Sequence, residues 1–280
     1  MNIFVVGATG YIGRQLFSVA INRFHTYGTA SSGSGENLAF RLEAPESFNY
    51  ELIQAGDVVY VAAAISSPDI CNQQHSRAWE VNVTGTIKFI TKVMSRGGRI
   101  VFFSSDAVYG DQIIEFEETN DCHPIGKYAE MKLAVEECFL GNPLFKTIRL
   151  SYVFSKEDKF TKYLYQCSIR GVEAEIFDPF NRAVIYLADV IEGALALATC
   201  WSDNSDPIVN FGGPQLLSRL QYAQIIRNVA LPQLRFRTVE PQNDFFYHRP
   251  RTINMKSKLL AKLLGRNPYA LHDAATVELK

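Results

Sequence analysis

A doubly wound, parallel α/β sheet is the architecture this sequence predicts. Three observations carry that reading. Short apolar runs alternate with helix-length stretches through the first two-thirds of the chain. A glycine-rich segment joins the first apolar run directly to a helical one. Beyond about Val153 the alternation loosens, with shorter elements and more Pro, Asn and Asp, as for a smaller second lobe.

The elements follow in order. Ile3 to Val6 is a short apolar run, suited to a strand buried on both faces. A helix from Tyr11 to about Asn22 and a strand from His25 to Ala30 come next. Asp57 to Ala62 reads as a third strand. A single long helix is expected from about Asn72 to Arg96. Val83, Ile87, Ile90 and Met94 form one apolar stripe on it, and Gly97-Gly98 stops it. Arg99 to Phe103 is the next strand, Tyr128 to Leu140 the next helix, and Phe145 to Leu150 another strand. Ala188 to Cys200 reads as a strong helix and Pro207 to Asn210 as a strand, so the chain returns once to the sheet.

Gly7-Ala8-Thr9-Gly10-Tyr11-Ile12-Gly13 stands where a strand turns into a helix. Glycine supplies the positive φ of a tight turn at little cost. A missing side chain lets a pyrophosphate approach the backbone and the open helix N-terminus. The spacing is one residue longer than GxGxxG, but the strand–turn–helix context is the one a nicotinamide dinucleotide requires. The predicted fold is therefore Rossmann-like. Residues 1–153 plus 182–212 would form the dinucleotide-binding part, and 154–181 plus 213–280 a substrate-binding lobe. At the end of the second strand an acid would accept from the ribose 2′-hydroxyl and select NAD. The sequence has Gly28-Thr29-Ala30-Ser31-Ser32-Gly33 there, with no acid. The hydroxyls of Ser31 and Ser32 suit a 2′-phosphate, and Arg14 lies just past the third glycine. NADP is favoured over NAD, although the loop itself lacks an arginine.

Tyr128 and Lys132 form a YxxxK pair one helical turn apart. An ammonium beside a phenol should favour the phenolate and ease proton transfer near neutral pH. A second such pair, Tyr152 and Lys156, falls in an irregular stretch after a strand. Position favours Tyr128. It begins a helix soon after Ser104-Ser105-Asp106, which ends a strand at the sheet edge where such folds bind ligands. Ser105 can then hydrogen-bond the same substrate oxygen as Tyr128.

These segments resemble the extended short-chain dehydrogenases/reductases, the nucleotide-sugar branch, over nearly the whole chain. Gly7 to Gly13 looks like the family's cofactor fingerprint, with Gly7, Thr9, Gly10, Tyr11, Ile12 and Gly13 implied as cofactor contacts. Ala62-Ala63-Ala64 matches its small-residue segment beneath the cofactor. Asn82-Val83-Thr84-Gly85-Thr86 resembles its NxxGT helix motif, and Ser104 to Gly110 its SSxxVYG segment. The resemblance implies Ser105, Tyr128 and Lys132 as catalytic residues, with Lys132 also on the nicotinamide ribose. It implies Arg182, seven residues before Asp189, and Arg249 as contacts to a substrate diphosphate, for which guanidinium forks are suited. Asp106 is followed by Ala107, where the family's dehydratases carry a glutamate. Hydroxyl, Asp and non-acid is instead similar to the dTDP-4-dehydrorhamnose reductase group, as is Gly212-Gly213-Pro214 before Leu217-Ser218. The implied activity is NADPH-dependent reduction of a nucleotide-linked 4-keto-6-deoxysugar. Alternatives are an NAD-retaining epimerase of the same family and a non-catalytic NADP-binding regulatory subunit, since the group resembles a subunit of methionine adenosyltransferase. A homodimer is one assembly the resemblance implies; the sequence leaves the oligomeric state open.

Bulk properties narrow the classes. The 280 residues are 47% hydrophobic and 20% charged, with a net charge of -1. That balance suits one large domain or two interleaved ones and offers no field for nucleic acid. Five cysteines, an odd number without a CxxC pair, fit neither a disulfide framework nor a metal site. The N-terminal run lacks a basic leader and is too short for a signal peptide. No membrane association and a cytoplasmic location are expected.

Overall fold

A computed structural model describes residues 1–33, 37–112, 114–241 and 245–280. Seven parallel strands form the central sheet. They include β1 (Ile3–Val6), β2 (Thr26–Ala30), β3 (Leu38–Ala39), β4 (Val58–Val61) and β5 (Arg99–Ser105). Strands Phe145–Leu150 and Ile208–Phe211 complete it beyond β5. From β1 the chain first builds outward through β2 and β3, then resumes on the other side at β4. The strand order therefore reverses between β1 and β4, where open α/β sheets leave a crevice.

Alternation along the strands sends side chains to two separate cores. Ile3, Val5, Val58, Tyr60 and Val101 face α1 (Tyr11–Ala20) and α7 (Leu187–Thr199). Phe4, Val6, Val59, Val61 and Phe102 face α4 (Thr86–Ser95) and α5 (Lys127–Phe139). Burial on both faces explains why these strands are apolar without alternation in the sequence. Tyr60 keeps its hydroxyl satisfied by donating to the Ala194 carbonyl at 2.8 Å.

One sequence expectation fails. The helix expected over 72–96 is not continuous. It comprises α2 (Pro68–Gln73), α3 (His75–Trp79), a π-helical segment Glu80–Gly85, and α4. Local contacts cause the break. Asn82 turns inward, accepting from the Ile65 amide at 2.8 Å and donating to its carbonyl at 2.9 Å. Gly85 lies so close to Leu42 that an added Cβ would stand 1.8 Å from its carbonyl oxygen. The wider π turn accommodates both, and Thr86 donates to the Val81 carbonyl at 2.9 Å across it. Periodicity alone does not report such a bulge, because the apolar stripe continues through it.

The smaller lobe gathers a four-stranded sheet in the order Leu216–Ser218, Asn181–Ala183, Thr252–Met255, Glu115–Phe116. It also contains α6 (Lys159–Arg170), α8 (Arg219–Val229) and α10 (Leu271–Leu279), packed around Leu164, Tyr222 and Ile226. Two segments cross the boundaries drawn from sequence. Glu115–Phe116 pairs with the C-terminal strand Thr252–Met255. Helix α9 (Lys258–Leu264) inserts Leu260 into the central core instead of the lobe. Among the described residues no helix is long and apolar enough to cross a membrane.

A buried polar cluster ties α5 to the sheet. Arg149 donates to one oxygen of Glu136 through Nε at 3.0 Å and Nη2 at 2.8 Å. Ser104 donates to the other oxygen. Both charged side chains are at most 5% exposed. Such a pair adds little net stability, but removing one partner strands a charge in the interior. Arg149→Met should therefore cost about 3–5 kcal/mol in urea unfolding. The double variant Arg149→Met/Glu136→Gln should recover much of that loss, and equal unfolding midpoints for single variant and wild type would contradict the assignment.

Candidate active site

The carboxyl edge of the sheet opens into a cavity of about 1000 Å³. Its floor is the glycine run. Gly7 has φ +89°, and a Cβ there would lie 2.9 Å from the Ala63 amide nitrogen. A Cβ on Gly13 would lie 2.1 Å from the Gly7 carbonyl oxygen. The glycines thus let β1, α1 and the residues after β4 converge. Gly10 caps α1 in an extended conformation with no side-chain cap. The first-turn amides therefore remain available to an anion, and the helix dipole favours one. Thr9, Gly10, Tyr11, Ile12 and Gly13 line the cavity, as do Ala62, Ala63 and Ala64. Backbone this bare, at a helix N-terminus and a reversal of strand order, fits a dinucleotide pyrophosphate.

Thr29, Ala30 and Ser31 continue the wall, while Ser32 is exposed and lies off the lining. Arg14 is likewise exposed and outside the lining residues. The cation that the sequence reading missed is Arg41. It follows the short strand β3, lines the cavity, and donates from Nε to the Ser31 carbonyl at 3.0 Å. Ten residues separate Arg41 from Ser31 in the chain, and a two-residue strand gives little periodic signal.

At the other end, Ser105, Tyr128, Lys132 and Arg182 line the same cavity. Ser105 closes β5 and also caps the turn that follows, accepting from the Ala107 amide at 3.2 Å. Its hydroxyl donates to Asp106 Oδ1 at 3.2 Å. Tyr128 sits in the first turn of α5, after Gly126 with φ +88°. A Cβ on Gly126 would meet the His248 carbonyl at 2.6 Å, so the C-terminal segment packs directly on the start of this helix.

The electrostatics differ from the expectation that Lys132 favours the Tyr128 phenolate. Burial, reinforced by Cys71 and Asp106, raises the Tyr128 phenol above its ordinary range. Burial also pushes Lys132 down to about 8, against the pull of Glu136 one turn later. The ammonium is 5.8 Å from the Tyr128 ring centre and donates to the Phe103 carbonyl at 2.7 Å. Desolvation of both groups outweighs their mutual influence.

The two arginines carried over from the family resemblance are already engaged. Arg182 donates to the carbonyls of Asn181 at 2.7 Å, Pro250 at 2.8 Å and Arg251 at 3.2 Å. Its Nε is 3.5 Å from Asp106 Oδ2, which also accepts from Ser151 at 2.9 Å. Arg249 lies outside the cavity lining and pairs with Asp69 of α2 at 2.6 Å. In the second YxxxK pair, Tyr152 donates to Asp158 at 2.7 Å, and Lys156 is exposed and off the cavity.

Residues 1–275 match the family model described as RmlD substrate binding domain. A dTDP-4-dehydrorhamnose reductase of Mycobacterium tuberculosis (strain CDC 1551 / Oshkosh) is 28% identical over 155 residues, 52% of this chain. The match spans about half the length of that relative, 51%. UDP-glucuronic acid decarboxylase 6 of Arabidopsis thaliana is 23% identical over 93% of this chain and 83% of its own. Among solved structures, a hypothetical dTDP-4-dehydrorhamnose reductase from Sulfolobus tokodaii has a TM-score of 0.85 at 22% identity, covering 98% of this chain and 99% of that one. A UDP-glucuronic acid 4-epimerase variant from Bacillus cereus has a TM-score of 0.82 at 18% identity, covering 100% and 98%. At such identities the structural likeness establishes the fold. Because the family match runs from the first strand into the last helix of the smaller lobe, the chain belongs to the RmlD substrate binding domain family, among the extended short-chain dehydrogenases/reductases.

Proposed function

We propose that the protein is an NADPH-dependent reductase of a nucleotide-diphosphate-linked 4-keto-6-deoxysugar. One observation carries the reading. Ser105, Tyr128 and Lys132 share a cavity with the uncapped N-terminus of α1, so a proton donor and a dinucleotide cradle face the same space. Bound in that cradle, NADPH supplies the hydride for the sugar ketone. Ser105 donates a hydrogen bond to the carbonyl oxygen and orients it. Tyr128, kept protonated by burial, gives that oxygen its proton as the C–H bond forms, so ketone plus hydride plus proton becomes the alcohol. Lys132, at the same end of the cavity, would hold the nicotinamide ribose. The reductase named among the relatives supports the substrate class.

The rival reading is an epimerase that retains oxidised NAD and returns the hydride to its substrate. The end of β2 carries no acid, and Arg41 beside Ser31 supports a 2′-phosphate and so NADPH, although Glu43 lines the same cavity. A regulatory subunit without turnover would not need three reactive side chains lining one cavity.

Four outcomes test these assignments. Against a panel of nucleotide 4-keto-6-deoxysugars, the enzyme should oxidise NADPH stoichiometrically. Tyr128→Phe should lower that rate by at least about 10²-fold while NADPH still binds. Wild-type-like turnover in the variant would remove Tyr128 from its role, and retained oxidised NAD in the purified protein would favour the epimerase. Arg41→Ala should weaken NADPH binding about tenfold and leave NADH nearly unchanged; equal losses for both cofactors would show that Arg41 does not read the phosphate. The fourth concerns pH. Lys132 is charged below a pKa of about 8 and neutral above it. If the ammonium is required, kcat/KM should be level at neutral pH and fall above about pH 8; a rate still climbing at pH 10 would contradict this.

A further inference from the structure

The hydroxyl of Ser105 has one proton to give and two lone pairs. One lone pair takes the Ala107 amide at 3.2 Å, which anchors the oxygen at the cavity wall. The proton goes to Asp106 Oδ1, also at 3.2 Å. A hydroxyl on a carboxylate normally closes to about 2.5–2.7 Å. The bond here is long and hence weak, so a ketone oxygen arriving in the cavity can take the proton over at little cost.

Asp106 is itself 6% exposed and lines the same cavity. Its other oxygen is held from two further elements. Ser151, which follows the sheet strand Phe145–Leu150, donates to Oδ2 at 2.9 Å. Nε of Arg182, on the lobe strand Asn181–Ala183, lies 3.5 Å from the same atom. Arg182 is in turn pinned by three backbone carbonyls. Donors gathered on Oδ2 polarise the carboxylate toward that side and leave Oδ1 the weaker acceptor, in keeping with the long bond to Ser105. Burial raises the Asp106 carboxyl, against Arg182, Ser151, Ser105 and the Ala107 amide. A proton gained there would go to Oδ1, because Oδ2 already faces two donors. The acid would then donate to the Ser105 oxygen and turn the serine proton toward the cavity. Both forms hold that oxygen in one place.

We infer that Asp106 is a positioning residue for the reduction: through Oδ1 it fixes the Ser105 hydroxyl where the substrate carbonyl arrives, and through Oδ2 it ties that aim to Ser151 of the sheet and Arg182 of the lobe. The inference rests on the reductase reading above. It gives a task to Ser151, which no sequence motif singles out.

Single turnovers, with enzyme in excess over the nucleotide 4-keto-6-deoxysugar that wild type reduces, keep slow variants measurable. Asp106→Ala should slow NADPH oxidation about tenfold or more and leave the calorimetric affinity for NADPH unchanged. Asp106→Asn should recover to within about threefold of wild type, because its amide oxygen can take the two Oδ2 donors while its nitrogen donates to Ser105. In a Ser105→Ala background Asp106→Ala should cost less than about twofold, since a residue that acts through Ser105 has nothing left to position. An effect exerted through Tyr128, whose phenolate Asp106 also opposes, would persist there. Ser151→Ala removes one Oδ2 donor and carries the test if Asp106→Ala misfolds; it should slow the wild type about threefold and the Ser105→Ala enzyme not at all. Losses that multiply in the double variants overturn the inference. So does a wild-type rate in Asp106→Ala, or in Ser151→Ala where that variant carries the test. So does Asp106→Asn as slow as Asp106→Ala, which would make the carboxylate itself a reactant. The reductase reading survives each of these results. A wild type that reduces no such sugar overturns both.

Discussion

The carboxylate of Glu136 is the constraint on which the rest of the site depends. It carries charge where no water reaches, and it must be neutralised and hydrogen-bonded there. Arg149 reaches it from one strand and Ser104 from the next, while Glu136 itself belongs to α5. The cluster therefore fixes the helix against two adjacent strands in one register. Ser105 follows Ser104 directly, and Lys132 lies one turn before Glu136. The residues proposed to do chemistry are thus neighbours in sequence of residues held by an interior ion pair. Hydrophobic packing alone would tolerate small slides of α5; a carboxylate held by Arg149 on one oxygen and Ser104 on the other does so far less.

A second consequence concerns the cations of the smaller lobe. Guanidinium groups are costly to leave unpaired in the interior, so each finds carbonyls, carboxylates or rings. Arg182 uses backbone carbonyls and Asp106, which ties the lobe strand Asn181–Ala183 to the turn after Ser105. Arg249 uses Asp69 and so joins the C-terminal segment to α2. Both hold the lobe against the sheet. Arg219 is placed differently, packed between the rings of Tyr152 and Phe160 with Nη1 buried. What each arginine holds is set by the folded chain, and spacing in the sequence does not report that.

The parallel sheet was legible because its strands are apolar throughout and its helices carry clear stripes. Gly7 to Gly13 was legible because a strand–turn–helix with close backbone approach leaves few choices of residue. Ser105, Tyr128 and Lys132 were legible by position, one ending a strand and two opening a helix at the same edge. The π segment at Glu80–Gly85 was not, since an inserted residue shifts phase without removing hydrophobicity. Arg41 was hidden behind a two-residue strand. The direction of the Tyr128 shift was also misjudged. Sequence spacing displays the nearby lysine, whereas desolvation is a property of the closed fold.

That last point bears on the direction of the reaction. Burial keeps the proton on Tyr128 and draws Lys132 toward neutrality. A reductase starts by giving a proton to a carbonyl oxygen, so a phenol that is already protonated is ready to act. An epimerase starts by taking a proton from a sugar hydroxyl, so it needs the phenolate first. Forming that anion in this cavity means opposing burial, Cys71 and Asp106 together, with the ammonium turned toward Phe103. The same desolvation therefore opposes the phenolate on either route, and a reductase, which starts from the phenol, meets that cost only as the carbonyl oxygen takes the proton. A start from the protonated phenol is consistent with the proposed 2′-phosphate reading at Ser31 and Arg41, which rests on separate residues.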